Sequence, residues 1–240
     1  MIFTRQLAYD IKGILTDWVL YFALVMSVLP AYGILYSIVN FQGPFNVTQV
    51  TYFYAFFGSV LSIIVAIRPF VKDLQNNTIV LFMNKRSNRY KYYVSKLTAG
   101  AVTGLIFGVF CTFVLMFASG YADLEIQSAL YFEVIVHYIL FTLFYTSVFL
   151  AMSTFIKGPI ALIVSAILSI MLLPTLLQVP VYIEQTPEAV ITFINDYLPF
   201  SFAPDVIGLQ DFTTGQYVST IAFIVLFILL GVFKAGRTDY

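Results

Sequence analysis

Six stretches of this chain are apolar over a length that crosses a bilayer, which for a helix means roughly 20 residues. They are Trp18–Val39, Thr51–Ile67, Leu97–Ser119, Ala129–Ile156, Pro159–Val181 and Tyr217–Phe233. The second and sixth are short, and the fourth is long enough to tilt. Only 10% of the residues are charged, against roughly 25% in soluble domains. A chain of this kind cannot clothe a globular surface in polar groups, so its solvent is lipid. The expectation is an all-α integral membrane protein, a single transmembrane domain over residues 1–240. The N-terminus is not expected to be a signal peptide, because no short apolar core there ends at a small-residue cleavage site.

The charges alternate with the spans. Arg5 and Lys12 precede the first. Arg68, Lys72, Lys85, Arg86, Arg89, Lys91 and Lys96 lie between the second and third. Lys157 separates the fourth and fifth, and Lys234 and Arg237 follow the sixth; together these are all 12 Lys and Arg residues. The connections 40–50, 120–128 and 182–216 contain none, but hold Asp123, Glu125, Glu184, Glu188, Asp196, Asp205 and Asp211. Loops rich in Lys and Arg stay cytoplasmic. Both termini are therefore expected inside, in a multi-pass membrane protein. Aromatic residues fall at both expected boundaries: Trp18, Tyr21, Tyr90, Tyr92 and Tyr93 at the basic one, and Tyr52, Tyr54, Tyr121, Tyr131 and Tyr217 at the other. Amphipathic rings settle at headgroup depth.

Ahead of the first span, Phe3, Leu7, Ile11, Ile14, Leu15 and Trp18 recur at helical spacing, with Arg5, Asp10, Lys12 and Asp17 at other positions. This predicts an amphipathic elbow helix over 1–17 on the inner membrane surface, with Gly13 as the place for a bend. The connection after span five is too long for a simple turn. Thr186 can cap a short helix beginning at Pro187, and Pro199 and Pro204 break the chain. Two short re-entrant helices are expected over 184–210, dipping into the outer leaflet without crossing it. Pro30 and Pro174 are candidate kinks in spans one and five.

Small residues are spaced for close packing. Gly100, Gly104 and Gly108 form a doubled G-x-x-x-G on span three, and Ala161, Ser165 and Ser169 repeat the spacing on span five. Such faces let helices approach closely, within one subunit or across a dimer.

The sequence contains no G-x-x-x-x-G-K-[ST], hence no nucleotide-binding loop of its own. No catalytic, cofactor-binding or metal-ligating residue is assigned. The single cysteine, Cys111, lies in an apolar run and reads as a buried thiol. The single histidine, His137, follows Glu133 by one helical turn. The two form a candidate polar site, able to relay a proton or bind a cation, or equally a structural or interfacial pair. With no H-E-x-x-H, a zinc protease is unsupported. Without charge at the middles of the other spans, neither a proton- or sodium-coupled transporter nor a charge-ringed channel is expected.

One cytoplasmic connection stands apart. Residues 73–84 read "DLQNNTIVLFMN", followed by the basic "KRSNRYK". Asn76 or Asn77 can cap a short helix through Thr78–Met83, whose apolar residues include Ile79, Val80, Leu81, Phe82 and Met83. It is too short to span a bilayer and too apolar for a free loop. A simpler reading is that the basic loop sets topology and binds anionic lipid.

This segment resembles the one between the second and third spans of ABC-2 type permeases. There an acid precedes a small residue and Thr, then an apolar stretch, a Pro-containing turn, an Arg and, further on, a Lys that opens span three. Asp73, Thr78, Val80–Met83, Arg89 and Lys96 stand at the matching positions. Asn77 stands where glycine is common, and Lys85 or Arg86 where proline is common. The resemblance extends to the layout of elbow, six spans and re-entrant element, so it covers essentially the whole chain, but on architecture rather than on a specific motif. It implies that residues 70–92 form a coupling segment seated in a groove of a separate ABC ATPase subunit. It also implies a second permease copy, identical or paralogous, and ATP bound by the partner rather than by this chain. The expected function is then export of a hydrophobic or amphipathic cargo, such as a peptide, by a protein that is not itself an enzyme. The alternative is a non-transporting membrane assembly, resistance or immunity protein. Membrane lipid is an expected partner, and nucleic acid is not.

Overall fold

Asp17 and Asn46 mark where the first two long helices begin, and each does so by capping backbone that would otherwise be unsatisfied. The structure, a computed structural model, describes residues 2–76, 78, 86–156, 158–183 and 185–235. Helix α1 covers Ile2–Leu15, and α2 covers Trp18–Phe41 with the Asp17 carboxylate accepting from the Val19 amide at 3.2 Å. Helix α3 covers Val47–Gln75. Its start is a capping box: the Asn46 side chain accepts from the Gln49 amide, and the Gln49 side chain accepts from the Asn46 amide at 2.7 Å. Helices α4 (Arg86–Ala122), α5 (Ser128–Met152) and α6 (Pro159–Gln178) follow. A 3₁₀ turn at Val179–Tyr182 leads to the short helix α7 (Glu188–Thr192), a π-helical turn at Phe193–Tyr197 and helix α8 (Pro199–Leu209). Helix α9 (Thr214–Ala235) ends the described chain. No strand occurs among the described residues.

Six of these helices, α2 to α6 and α9, are long and apolar enough to cross a membrane. The chain is thus an all-helical multi-pass membrane protein. Helices α3 and α5 form the centre, with 61% and 72% of their apolar windows buried, against 28% for α2 and α6 and 22% for α9. In water the outer faces of α2, α6 and α9 would be an aggregation hazard; in lipid they are matched to their solvent. Helix α4 lies along α5, α2 along α3, and α9 along α5. Helix α8 is held between α3 and α6, with Ile207 and Ser201 fully buried.

Several local expectations need correction. Helix α3 runs on past Ile67 to Gln75, and α4 begins at Arg86 rather than Leu97. Both ends of the 70–92 segment are therefore continuations of spanning helices, and only its middle can be a separate element. Charge made Arg68, Lys72 and Asp73 look like loop residues, but each finds a partner and so can stay helical. Of the short helix expected at Thr78–Met83, only Thr78 is among the described residues; Asn77, residues 79–83 and Lys85 lie outside them. Gly13 sits inside α1, which continues to Leu15, and the chain turns at Thr16–Asp17 instead. The face of α1 that is buried carries Gln6, Asp10 and Ile14, while Leu15 and Trp18 are exposed. Thr186 makes no cap; the short helix α7 follows Pro187, at the expected place, without a side-chain cap.

Candidate functional site

The 70–92 segment leaves the bundle at Asp73 and returns toward Lys96, and these two side chains meet. Lys96 Nζ lies 2.7 Å from Asp73 Oδ2 and 2.7 Å from Asp10 Oδ1 of α1. It also points at the Pro69 carbonyl at 3.4 Å, so its three protons face three acceptors. The cluster is nearly closed to solvent: the side chains of Lys96, Asp10 and Asp73 are 3%, 2% and 11% exposed. Two carboxylates on one ammonium leave an excess negative charge, and three hydroxyls answer it. Ser95 Oγ donates to Asp10 Oδ2 at 2.7 Å, Tyr92 OH to Asp73 Oδ2 at 2.9 Å, and Thr78 Oγ1 to Asp73 Oδ1 at 3.1 Å. The Lys96 ammonium also stands 4.9 Å from the Tyr92 ring centre. Buried charges persist only when paired and hydrogen-bonded throughout. This one joins α1, α3 and α4.

A second ionic knot lies beside it. Asp17, the cap of α2, accepts from Arg68 Nε at 2.5 Å and Lys72 Nζ at 2.7 Å. Burial pushes the Asp17 carboxyl up, but the bonds from Lys72, the Val19 amide and Arg68 outweigh it and hold the pKa below the usual carboxylate value. The first three helices and α4 are thus pinned together at the end of the bundle that carries the basic residues. A cleft of about 870 Å³ opens between α1, the start of α2 and the last turns of α3.

Of the residues expected to couple to a partner, Asp73 is at the cluster and Thr78 is bonded to it. Asn76 is exposed and caps α3 through its amide, 3.0 Å from the Lys72 carbonyl. Arg89 lies in the first turns of α4, half-buried. The sequence reading missed Asp10 and Ser95. For Asp10 no local signal was available: it falls one turn from Gln6, on what reads as the polar face of α1 until Lys96 is placed beside it.

The glycine ladder of α4 packs within the chain. A Cβ on Gly104 would stand 2.2 Å from Thr142 Oγ1 and 2.5 Å from the Tyr138 carbonyl oxygen; one on Gly108 would stand 2.7 Å from Ile135 Cα, and one on Gly100 2.6 Å from Thr146 Oγ1. The absence of these Cβ atoms lets α4 lie directly on α5. The small residues of α6 do not behave the same way. Ala161 is exposed, and Ser165 and Ser169 bond to their own helix, at Ala161 O (2.7 Å) and Ala166 O (2.9 Å). The packed face of α6 is one position over, at Leu162, Ala166, Ile170 and Pro174. Larger apolar residues there fill the space against α3 and α8.

His137 and Glu133 are not a bonded pair. Glu133 is exposed, and no hydrogen bond joins it to His137 among the described residues. Instead the buried imidazole holds the far end of the 185–213 stretch. Its Nδ1 lies 2.6 Å from Gln210 Oε1, its Nε2 meets the Tyr217 hydroxyl, and its ring centre is 4.3 Å from that of Phe212. The Gln210 amide nitrogen donates to the Ile207 carbonyl, which turns Oε1 toward the histidine. Nδ1 therefore carries the proton and donates, while Nε2 accepts from Tyr217. Gln210, with φ of 58°, terminates α8 in the left-handed region. The site reads as a latch between α5, α8 and α9.

No protein-family model matches this chain, and no curated protein matches it in sequence.

Proposed function

We propose that this chain is the membrane-spanning subunit of an ATP-driven exporter whose ATPase is a separate protein. Asp73–Lys96–Asp10 is the observation that supports the reading best. A segment that is to receive a push from a motor must be rooted rigidly, and this one leaves and re-enters the bundle through a single buried ionic cluster shared with α1. Displacement of the 74–95 stretch would be passed to α1, α3 and α4 together rather than absorbed in a loop. The positive-inside rule puts this end of the bundle in the cytoplasm, with α1 as an elbow at the inner surface and 184–210 as a re-entrant element on the outside. Two copies, or a copy and a paralogue, would frame the path. Uncharged, aromatic-rich spans favour a hydrophobic or amphipathic cargo such as a peptide.

The test is association followed by transport. A nucleotide-hydrolysing protein should co-purify in mild detergent and be lost when 78–83 becomes a Gly/Ser linker. The pair, reconstituted together, should move an amphipathic peptide in an ATP-dependent way. If no such protein accompanies the chain, the non-transporting assembly, resistance or immunity reading takes its place.

A further inference from the structure

We infer that the cleft between α1, the start of α2 and the end of α3 binds the phosphate of an anionic ester, either a phospholipid headgroup or a soluble phosphate ester. The argument is a balance of donors and acceptors. The ionisable groups lining it are Lys12, Arg68, Lys72 and Lys96 against Asp10, Asp17 and Asp73, four positive and three negative, for a net charge of +1. All the carboxylate oxygens are already engaged. Asp10 accepts from Lys96 and Ser95, Asp73 from Lys96, Tyr92 and Thr78, and Asp17 from Val19, Arg68 and Lys72. A cation would have to compete with a bonded donor at every one of these oxygens.

The donors are in surplus. Arg68 spends only its Nε on Asp17, and among the described residues its two terminal nitrogens make no bond, with the side chain 34% exposed. Lys72 spends one bond, at 47% exposure, and Lys12 is exposed with no ion pair among the described residues. Gln6, also lining the cleft, is 8% exposed, and its amide nitrogen has no acceptor among the described residues. A guanidinium with its fork free, sharing the cleft with the Lys12 and Lys72 ammonium groups, matches the oxygens of a phosphate. Trp18 and Tyr9, 69% and 74% exposed, stand at the rim, where their rings would meet acyl chains at headgroup depth. The inference does not depend on the exporter reading.

The intact protein in neutral detergent is to be titrated with dioctanoyl phosphatidylglycerol, dioctanoyl phosphatidylcholine, glycerol 3-phosphate and inorganic phosphate, reading the thermal unfolding midpoint. Phosphatidylglycerol should raise it saturably. Lys12→Gln and Arg68→Lys should each weaken half-saturation about tenfold, the scale of one charge-assisted bond. Arg68→Lys keeps a cation on Asp17 and removes only the fork, so the fold is retained. A variant-sensitive shift with glycerol 3-phosphate or phosphate alone assigns a soluble ligand, and one that needs the acyl chains assigns lipid. No shift with any of the phosphates, a shift both variants leave intact, or an equal shift with phosphatidylcholine overturns the inference.

Discussion

Asp73 and Lys96, at the two roots of the connection between α3 and α4, lie 2.7 Å apart at the inner wall of the cleft, with their side chains 11% and 3% exposed. This weld ties the end of α3 and the start of α4 into one body. Adding Asp10 of α1 to the weld makes the N-terminal helix part of the same body.

Removing the ammonium should be far more damaging than removing the whole cluster. Lys96→Met leaves two buried carboxylates uncompensated, and loss of one partner from a buried ionic group costs about 3–5 kcal/mol. The variant Asp10→Asn/Asp73→Asn/Lys96→Met carries no buried charge there and should recover much of that loss. Denaturant unfolding in detergent measures both. A Lys96→Met protein within about 0.5 kcal/mol of the parent, the ordinary range for surface changes, would show that the cluster contributes no stability.

The α4–α5 contact should tolerate no side chain at its closest point. Gly104→Ala places a methyl group against backbone of α5 as well as the Thr142 hydroxyl, so the helices must part. Overpacking of this kind costs about 1–3 kcal/mol. Gly33→Ala is the control, since a Cβ there meets nothing within 4 Å, and it should be neutral or slightly stabilising through helix propensity. Equal midpoints for the two variants would contradict the packing.

The spans themselves were legible because apolar length is a strong signal, and the basic and acidic connections separate cleanly. Their true ends were not. Arg68, Lys72 and Asp73 look like the start of a loop when each is taken alone. They remain in α3 because Asp17 and Lys96, distant in sequence, satisfy them. The same long-range pairing hid Asp10, which reads as the polar face of an amphipathic helix until Lys96 and Ser95 are placed beside it. His137 was visible as an oddity, but Glu133 was the wrong partner. Gln210 and Tyr217 reach it only because α8 folds back along the bundle, a topology with no local signature.

Acid should weaken the α1–α2 corner through Asp17. Its pKa is lowered in the folded protein, so its contribution is present in full above the unfolded value of about 3.9 and is lost as pH falls through the folded value. The difference in unfolding midpoint between the parent and Asp17→Asn should therefore be constant near neutrality and shrink below about pH 4. A difference that grows on acidification would reverse the sign of the linkage.

The latch at His137 should set how firmly the 185–213 stretch is held. Tyr217→Phe and Gln210→Ala each remove a hydrogen bond to the imidazole, worth about 0.5–1.5 kcal/mol. Amide exchange in α8 should speed up by roughly two- to tenfold in either variant, with α2 and α3 unchanged. Exchange that stays at the parent rate would mean that α8 is held by its apolar contacts with α3 and α6 alone.

The most direct trial of the exporter reading is a photo-reactive residue at Asn76, exposed at the end of α3, irradiated in native membranes. The account predicts one dominant protein adduct, a nucleotide-hydrolysing partner, whose yield changes when ATP is added. An adduct pattern of lipid only, unaltered by ATP, would contradict it.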